Sequence, residues 1–217
     1  MLILSLDTSA AASAAVIRDG EVLQRFSSTD TRSHAEVLAP AIQQLLADAD
    51  VAGTALDAIV VGVGPGPFTG LRAGIATARM LAFVWGVPLH GVMSLDAVAL
   101  DAGHPDGEFA VATDARRKEV YWARYRAASG LPELVDGPHV GPAETVPELP
   151  VYGHGAGLYA ERLAGTPHAT DLWPDAAALA VIAERTFAAG GTLRPTTPLY
   201  LRESDAKVPG PRKKALL

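Results

Sequence analysis

Two aspartates each end an apolar run of the chain, where a carboxylate could hold a cation. Asp7 ends the first run and is followed by Thr8 and Ser9, and Asp114 ends a similar run in the second half. Carboxylate oxygens are good Mg²⁺ ligands, and the neighbouring hydroxyl groups could face a phosphate. Aspartate is also common as the residue that caps a β-turn, a role that needs no ligand. The residue types leave both interpretations open.

Glycines and prolines fill the loop at residues 62–72, between an apolar run and a helical pattern of small residues. A loop that joins a buried strand to a helix N-terminus is a common phosphate site. A P-loop, however, has lysine and then serine or threonine after its last glycine, and here leucine and arginine follow Gly70. Pro65 and Pro67 also lack the N–H groups that would bind a phosphate. The pattern therefore indicates a loop that serves shape.

A second glycine cluster, Gly153-His154-Gly155, precedes another helical pattern. It could bind an adenosine, but a single Gly-x-Gly is more typical of a tight strand-to-helix turn. His154 is the histidine that a nucleotide site there would include. The six histidines never stand three or four residues apart, and cysteine is absent. The sequence therefore excludes a helix-borne histidine pair and any cysteine ligand for a metal.

The composition is that of a compact protein with a large core. The chain has 217 residues, of which 49% are hydrophobic and 19% are charged, and its formal net charge is −6. This charge argues against a stand-alone nucleic-acid-binding protein, and the absence of cysteine argues against a disulfide framework. The apolar start is too short for a secretory signal, and no apolar run has the length of a membrane span. We therefore expect a cytoplasmic location and no membrane partner.

The elements that must position these residues follow from apolar runs and turn signals. The first half is predicted to contain an antiparallel meander and then helices that alternate with strands. A capping box at residues 33–36 (SHAE) predicts the start of the first helix, which should bend at Pro40. The predicted strands lie at residues 2–6, 10–17, 21–28, 58–61 and 87–92, and the predicted helices at 33–49, 71–85 and 94–102.

The second half repeats the plan of the first, with a strand that ends at Asp114, a basic turn at 116–118 and a strand at 119–125. We interpret this repetition as an internal duplication. Residues 129–150 are rich in proline, glycine and glutamate and are predicted to be irregular, and an alanine-rich helix is predicted at 176–189. These patterns predict a first lobe at 1–103, a smaller second lobe at 104–206 and a mobile tail at 207–217.

Two lobes of this plan are typical of one α/β architecture. It is the two-lobed actin-like and sugar-kinase ATPase fold, in which each lobe holds a mixed RNase H-like sheet flanked by helices. In that fold the acid at the end of each first strand faces the cleft between the lobes and holds Mg²⁺ and phosphate. One hypothesis for the function is therefore a small ATPase or kinase that uses Asp7 and Asp114 with Mg²⁺ and ATP.

Five segments of the sequence resemble one family closely. They are residues 4–9 (LSLDTS), 33–40 (SHAEVLAP), 64–74 (GPGPFTGLRAG), 114–121 (DARRKEVY) and 198–202 (PLYLR). The family is TsaB, also called YeaZ-like, and the resemblance covers almost the whole chain in order. It implies a partner of TsaD in making threonylcarbamoyladenosine on tRNA.

The resemblance also implies how the work is divided. In that family TsaD transfers a threonylcarbamoyl group to the N6 amine of the adenosine beside the anticodon. TsaB is regarded as a non-catalytic subunit that dimerises with TsaD, and the ATPase TsaE joins them. The implied partners are therefore TsaD, TsaE and tRNA through the complex, while a homodimeric interaction module indifferent to TsaD is a further hypothesis. No cofactor is expected, and nucleotide binding stays open.

One stretch of the sequence distinguishes this chain from the catalytic relative. TsaD carries a His-x-x-x-His metal motif after the strand that follows its Gly/Pro-loop helix. The corresponding stretch here, residues 92–99 (VMSLDAVA), contains no histidine. Without that metal the chain lacks the Lewis acid that would position a carbonyl group, and a peptidase would need the same missing pair. We expect an accessory subunit and not an enzyme.

The helix at 69–85 is apolar nearly all round, more than a one-sided surface helix should be. Packing within the chain would explain its small residues. The resemblance instead implies that this helix and the preceding one form a four-helix bundle with TsaD or with a second copy. The candidate contacts are Leu38, Ile42, Leu45, Arg72, Ile75, Ala76 and Arg79. The candidates for a vestigial nucleotide site are Asp7, Thr8, Ser9, Asp114, Gly153 and Gly155.

Two short basic runs are further candidates for contacts. The turn at 116–118 could touch tRNA or TsaE, and the run at 212–214 near the C-terminus could touch tRNA phosphates. Short basic runs are also commonly solvated turns and termini, so charge is the only evidence for these contacts.

Overall fold

The computed structural model describes residues 1–28, 34–103 and 107–202. Three predictions fall wholly or partly outside these residues. They are the serine of the capping box at 33, the start of the second lobe at residues 104–106 and the C-terminal tail at 207–217 with its basic run.

Five strands form the first sheet. They are β1 (Leu2–Asp7), β2 (Ser13–Arg18), β3 (Glu21–Ser27), β4 (Ala58–Gly62) and β5 (Leu89–Val92). The strand order is β3-β2-β1-β4-β5, with an antiparallel meander as predicted and with β4 and β5 added in parallel. A two-residue turn at Asp19 and Gly20, both with positive φ, joins β2 to β3.

Helices cover both faces of this sheet. The helices of the described chain are α1 (His34–Asp48), α2 (Phe68–Trp85), α3 (Ser94–Asp101), α4 (His154–Leu158) and α5 (Ala176–Ala188). Leu4 and Leu6 of β1 pack with α1 and α2 on one face, while Ile3 packs with α5 on the other. Because both faces of β1 are buried, its sequence is an apolar run rather than an alternation.

The second sheet repeats the arrangement of the first. Its strands are β6 (Glu108–Asp114), β7 (Glu119–Arg126), β8 (Glu133–Pro142), β9 (Val151–Tyr152) and β10 (Pro167–His168). The order is β10-β9-β6-β7-β8, with β6 and β7 antiparallel and β9 parallel to β6. The prediction that residues 129–150 are irregular is therefore wrong for β8. This strand is only partly buried and carries no apolar alternation, and its pairing with an irregular register to β7 defines it.

α3 lies between the two sheets. Its Leu95 and Val98 pack with Phe109 and Tyr125 of the second sheet, whereas Ala97 belongs to the cluster beneath α5. α5 comes from the second half of the chain but packs against β1, β2 and β4 of the first sheet. The two mixed sheets flanked by helices confirm the predicted fold class. A division of the chain at residue 103 stays a prediction.

No helix within the three described ranges combines the length and the apolar character that crossing a bilayer requires.

Candidate functional site

The carboxylate of Asp7 is buried in a hydrogen-bond network at the end of β1. Its Oδ1 accepts from the backbone N–H and the hydroxyl of Ser9 at 2.7 and 2.6 Å, and its Oδ2 accepts from the Ser94 hydroxyl at 2.5 Å. The Ser94 oxygen in turn accepts from the N–H of Gly64 at 3.1 Å. Burial raises the pKa of Asp7, and the hydrogen bonds from Ser9 and Ser94 oppose that rise. The aspartate thus ties β1 to the Gly/Pro loop and to α3.

Glycines of the loop and of α2 make room for the end of β1. A Cβ on Gly62 would lie 1.7 Å from Asp7 Oδ2, and one on Gly74 would lie 2.2 Å from the Thr8 hydroxyl oxygen. That hydroxyl donates to the carbonyl of Gly70 at 2.8 Å. Side chains at these glycines would therefore force the loop away from β1. These contacts support the interpretation that the loop serves shape.

Asp114 at the end of β6 caps a turn. Its Oδ1 accepts from the backbone N–H of Arg116 at 2.8 Å and from the Tyr159 hydroxyl at 3.0 Å, and the Arg116 guanidinium lies 3.5 Å from Oδ2. Arg116, Arg117 and Lys118 all have left-handed backbone, with φ of 62°, 55° and 63°. The basic run therefore forms the hairpin loop between β6 and β7.

The second glycine cluster lets α4 lie directly on β6. A Cβ on Gly153 would lie 2.7 Å from the carbonyl oxygen of Ala112, and one on Gly155 would lie 2.8 Å from its carbonyl carbon. Gly153 also has a φ of 104°, which favours glycine. The ring of His154 stacks on Trp173 at a centroid distance of 4.0 Å. The cluster fits the tight-turn interpretation.

The predicted nucleotide residues do not line either of two cavities in the described chain. One, of about 650 Å³, is lined by Arg25, Asp101 and Asp175, among others. The cavity beside the Gly/Pro loop, of about 290 Å³, is lined by Arg116 and Arg202. Nucleotide binding through Asp7, Thr8, Ser9, Asp114, Gly153 and Gly155 thus stays a prediction. The structure gives these residues contacts within the chain.

The described residues do not form a cluster of metal ligands. Within 1–28, 34–103 and 107–202, no three histidine, aspartate or glutamate side chains are grouped so that they could hold a metal ion.

The outer face of α2 exposes large apolar side chains. Met80, Phe83 and Val84 expose 62%, 85% and 64% of their surface. Most exposed apolar residues of a protein are scattered singly, whereas these three share the last turns of one helix. The inner face of α2, which includes Leu71 and Ala78, is buried in the core.

A groove of about 490 Å³ runs along this face. We call it the α2 groove, and it is lined by Arg72, Ile75, Ala76, Arg79, Met80, Phe83, Pro198 and Tyr200. Its far wall is the segment that follows residue 195. Arg79 donates to the carbonyl of Thr196 at 2.7 Å, and Arg72 Nε donates to the Tyr200 hydroxyl at 3.0 Å. The Tyr200 ring stacks on Phe68 at 4.2 Å, so side chains of α2 hold this wall in place.

The structure separates the predicted interface residues into two groups. Arg72, Ala76 and Arg79 are exposed and line the α2 groove, and Ile75 forms its floor with 4% exposure. Contact between these four residues and a partner stays a prediction.

For the second group the structure corrects the prediction of surface contacts. Leu38, Ile42 and Leu45 are 0%, 2% and 5% exposed and pack in the core against the first sheet. The apolar stripe of α1 is the stripe that faces its own sheet, so these three side chains are not surface contacts of the folded chain. Sequence reasoning missed Met80 and Phe83, which also line the α2 groove. They continue, at helical spacing, the stripe of the predicted residues 72, 76 and 79, and this spacing is the signal that could have found them.

Comparison with known proteins gives consistent results. A family model described as TsaD, tRNA N6-adenosine threonylcarbamoyltransferase, matches residues 21–156. An uncharacterized protein of Mycobacterium leprae is 42% identical over 95% of this chain and 56% of its own length. The tRNA threonylcarbamoyladenosine biosynthesis protein TsaB of Bacillus subtilis is 37% identical over 62% of this chain and 59% of its own length. The chain therefore matches little more than half the length of these two relatives.

A solved structure matches nearly the whole of both chains. YeaZ from Pseudomonas aeruginosa superimposes with a TM-score of 0.80 and 34% sequence identity, over 92% of this chain and 99% of that one. Another structure from the same organism, described as similar to the peptidase YeaZ, superimposes with a TM-score of 0.81.

Proposed function

Because the chain belongs to the TsaB/YeaZ family, we propose that it acts in the biosynthesis of threonylcarbamoyladenosine on tRNA as a subunit that binds and activates TsaD. In this proposal the chain contributes a binding surface and no catalytic residue. TsaD performs the threonylcarbamoyl transfer, TsaE docks on the assembled pair, and tRNA is bound through the complex.

The observation that carries the proposal is the exposed apolar face of α2. A surface helix with three large apolar side chains exposed by more than half is costly in water, and a partner that covers them would regain that free energy. Arg72 and Arg79 flank the groove and could pair with acidic groups at the rim of a partner. The apolar centre and charged edge are the usual anatomy of a protein interface.

The assignment as a non-catalytic subunit is supported by the end of β1. An actin-like ATPase would need the carboxylate of Asp7 to face a cation, but its oxygens accept from Ser9 and Ser94. The Thr8 hydroxyl donates to the backbone of Gly70. Moving these groups toward a ligand would break the contacts that hold the Gly/Pro loop against β1. The proposal therefore favours a structural role over the ATPase hypothesis.

The test is reconstitution of the modification with purified TsaD, TsaE, the adenylate-forming enzyme and unmodified tRNA, with this chain present or omitted. We expect product only when the chain is present. Product formed equally without the chain would overturn the proposed role.

The surface is tested by a matched pair of variants. Phe83→Glu places a charge in the centre of the exposed face, and Leu158→Glu places the same charge on α4, where the leucine is 52% exposed. We expect Phe83→Glu to weaken TsaD binding by about tenfold or more and Leu158→Glu to leave it unchanged. Equal effects would mean that the α2 groove is not the interface. Sedimentation of the chain alone shows whether it forms a homodimer, and loss of that homodimer in Phe83→Glu would place it on the same face.

A further inference from the structure

A small cavity on the side of α3 brings together two opposite charges that do not pair with each other. It has a volume of about 210 Å³ and lies between β5, α3 and the segment that follows α5. Asp96 and Arg194 are its charged lining residues. Their nitrogen and oxygen atoms are not within ion-pair distance of each other, although the charge of Arg194 lowers the pKa of Asp96.

The carboxylate of Asp96 is positioned by the second sheet. Its Oδ1 accepts from the Tyr125 hydroxyl at 2.8 Å. A backbone hydrogen bond from Met93 also favours the charged carboxylate. Burial raises the pKa of Asp96 to about 6, so the group is largely ionised at neutral pH. A carboxylate that can accept hydrogen bonds is therefore held in place in the lining of the cavity.

The backbone of Arg194 is anchored to the first sheet. The backbone N–H of Arg194 donates to the carbonyl of Gly91 at 3.0 Å, and the N–H of Gly91 donates back at 2.8 Å. A Cβ on Gly91 would lie 2.6 Å from the carbonyl of Pro195, so the close approach requires glycine. In the part of the chain that the structure describes, the Arg194 side chain makes no hydrogen bond or ion pair. The backbone is fixed while the charged group stays available.

The remaining wall of the cavity is mainly apolar. It includes Val92, Leu131, Leu134, Ile182 and Leu193. An engineered cavity of about 150 Å³ holds benzene, which has six heavy atoms. By that measure 210 Å³ holds a molecule of about eight heavy atoms.

We propose that this cavity binds a small aliphatic α-amino acid. The ammonium group donates to Asp96, the carboxylate accepts from Arg194, and the side chain packs against the apolar wall. A zwitterion meets both charges at once, whereas an amine or an acid alone would leave one of them without a partner. The proposal does not depend on the binding of TsaD, because the cavity lies outside the α2 groove.

The test measures the binding of L-valine to the full chain by calorimetry and by ligand-observed NMR. Isobutylamine and isobutyrate, which each keep one of the two charges, serve as ligand controls. We expect valine to bind at millimolar concentration or below and each control to bind at least about tenfold more weakly. No binding of valine, or equal binding of either control, would overturn the proposal.

Variants locate the site. Asp96→Asn keeps an oxygen that can accept from Tyr125, and Arg194→Gln shortens an exposed side chain, so both should fold. We expect each to weaken valine binding by about tenfold or more. Arg18→Gln, at the exposed end of β2, should leave binding unchanged. If valine bound all three variants as tightly as the unchanged chain, the site would lie elsewhere and the assignment would be wrong.

Discussion

The ends of β1 and β6 follow the same sequence plan, yet their aspartates lie in different surroundings. Asp7 is fully buried and is bonded to Ser9 and Ser94. The side chain of Asp114 keeps 16% of its surface exposed and caps the turn that leads to β7. The difference lies in what packs over each strand end. The Gly/Pro loop and α3 cover Asp7, and a surface hairpin follows Asp114.

The comparison shows how the same strand-end position can differ between two sheets of one plan. A carboxylate at a strand end can become part of the core when a neighbouring element supplies donors, as α3 does through Ser94. At the end of β6 the same residue type caps its local turn and accepts from the Tyr159 hydroxyl. A shared position in two sheets of the same strand plan therefore does not imply a shared chemical role. The largest expected effects of mutation lie at the first strand end.

The strongest test compares Asp7→Ala with Asp114→Ala. Removal of Asp7 leaves the hydroxyl of Ser94 and the donors of Ser9 without their acceptor in a buried site. We expect a loss of about 3 kcal/mol in the free energy of unfolding. Removal of Asp114 affects a partly exposed turn and should cost about 1 kcal/mol. Urea unfolding followed by circular dichroism measures both, and equal losses would contradict the comparison.

Much of the fold could be predicted from the sequence because its strands are apolar runs between turn signals. The meander, the parallel strands and the helices of the first half were predicted close to their observed bounds. β8 was missed because its side chains are half-buried on both faces, and its register depends on β7. The burial of Asp7 could not be predicted either. It depends on Ser94, which is 87 residues away in the chain.

The candidate interface could also be predicted only in part, because it depends on contacts between distant parts of the sequence. An apolar stripe on a helix predicts burial but does not say whether its own sheet or a partner covers it. For Leu38, Ile42 and Leu45 the sheet covers them. For Phe83 and Met80 nothing in the described chain does. Whether a stripe is buried in the chain or exposed depends on which face of each helix packs against β1 and β4. Packing between elements distant in sequence determines that face.

A second test uses pH to measure the cost of burying the carboxylate of Asp96 on α3. Burial raises the pKa of Asp96 from 3.8 to about 6 in the folded chain. Between these values the folded chain holds a proton that the unfolded chain has lost, so stability falls as the pH rises from about 4 to about 6. Because the cavity admits water, we expect a decrease of about 2 kcal/mol from this group. Asp96→Asn should remove it in unfolding measurements across this range.

Asp101 on the same helix serves as the control for this pH test. Burial and the charge of Asp175 raise its pKa to about 6 as well, but its side chain is exposed to solvent. We expect Asp101→Asn to remove a clearly smaller part of the pH dependence. A larger effect from Asp101 than from Asp96 would contradict the expectation that the more buried carboxylate carries the larger cost of ionisation.

The smallest expected effect concerns the hairpin after Asp114. Lys118 is the third consecutive residue with left-handed backbone, a conformation that costs a non-glycine residue about 1 kcal/mol. Lys118→Gly should therefore raise the free energy of unfolding by up to about 1 kcal/mol, whereas Lys118→Ala, which keeps a Cβ, should give no gain. Thermal and urea unfolding of the two variants measure the difference. If neither variant gains stability, the turn is held by contacts of the lysine that offset its backbone strain, and the second strand end would then resemble the first.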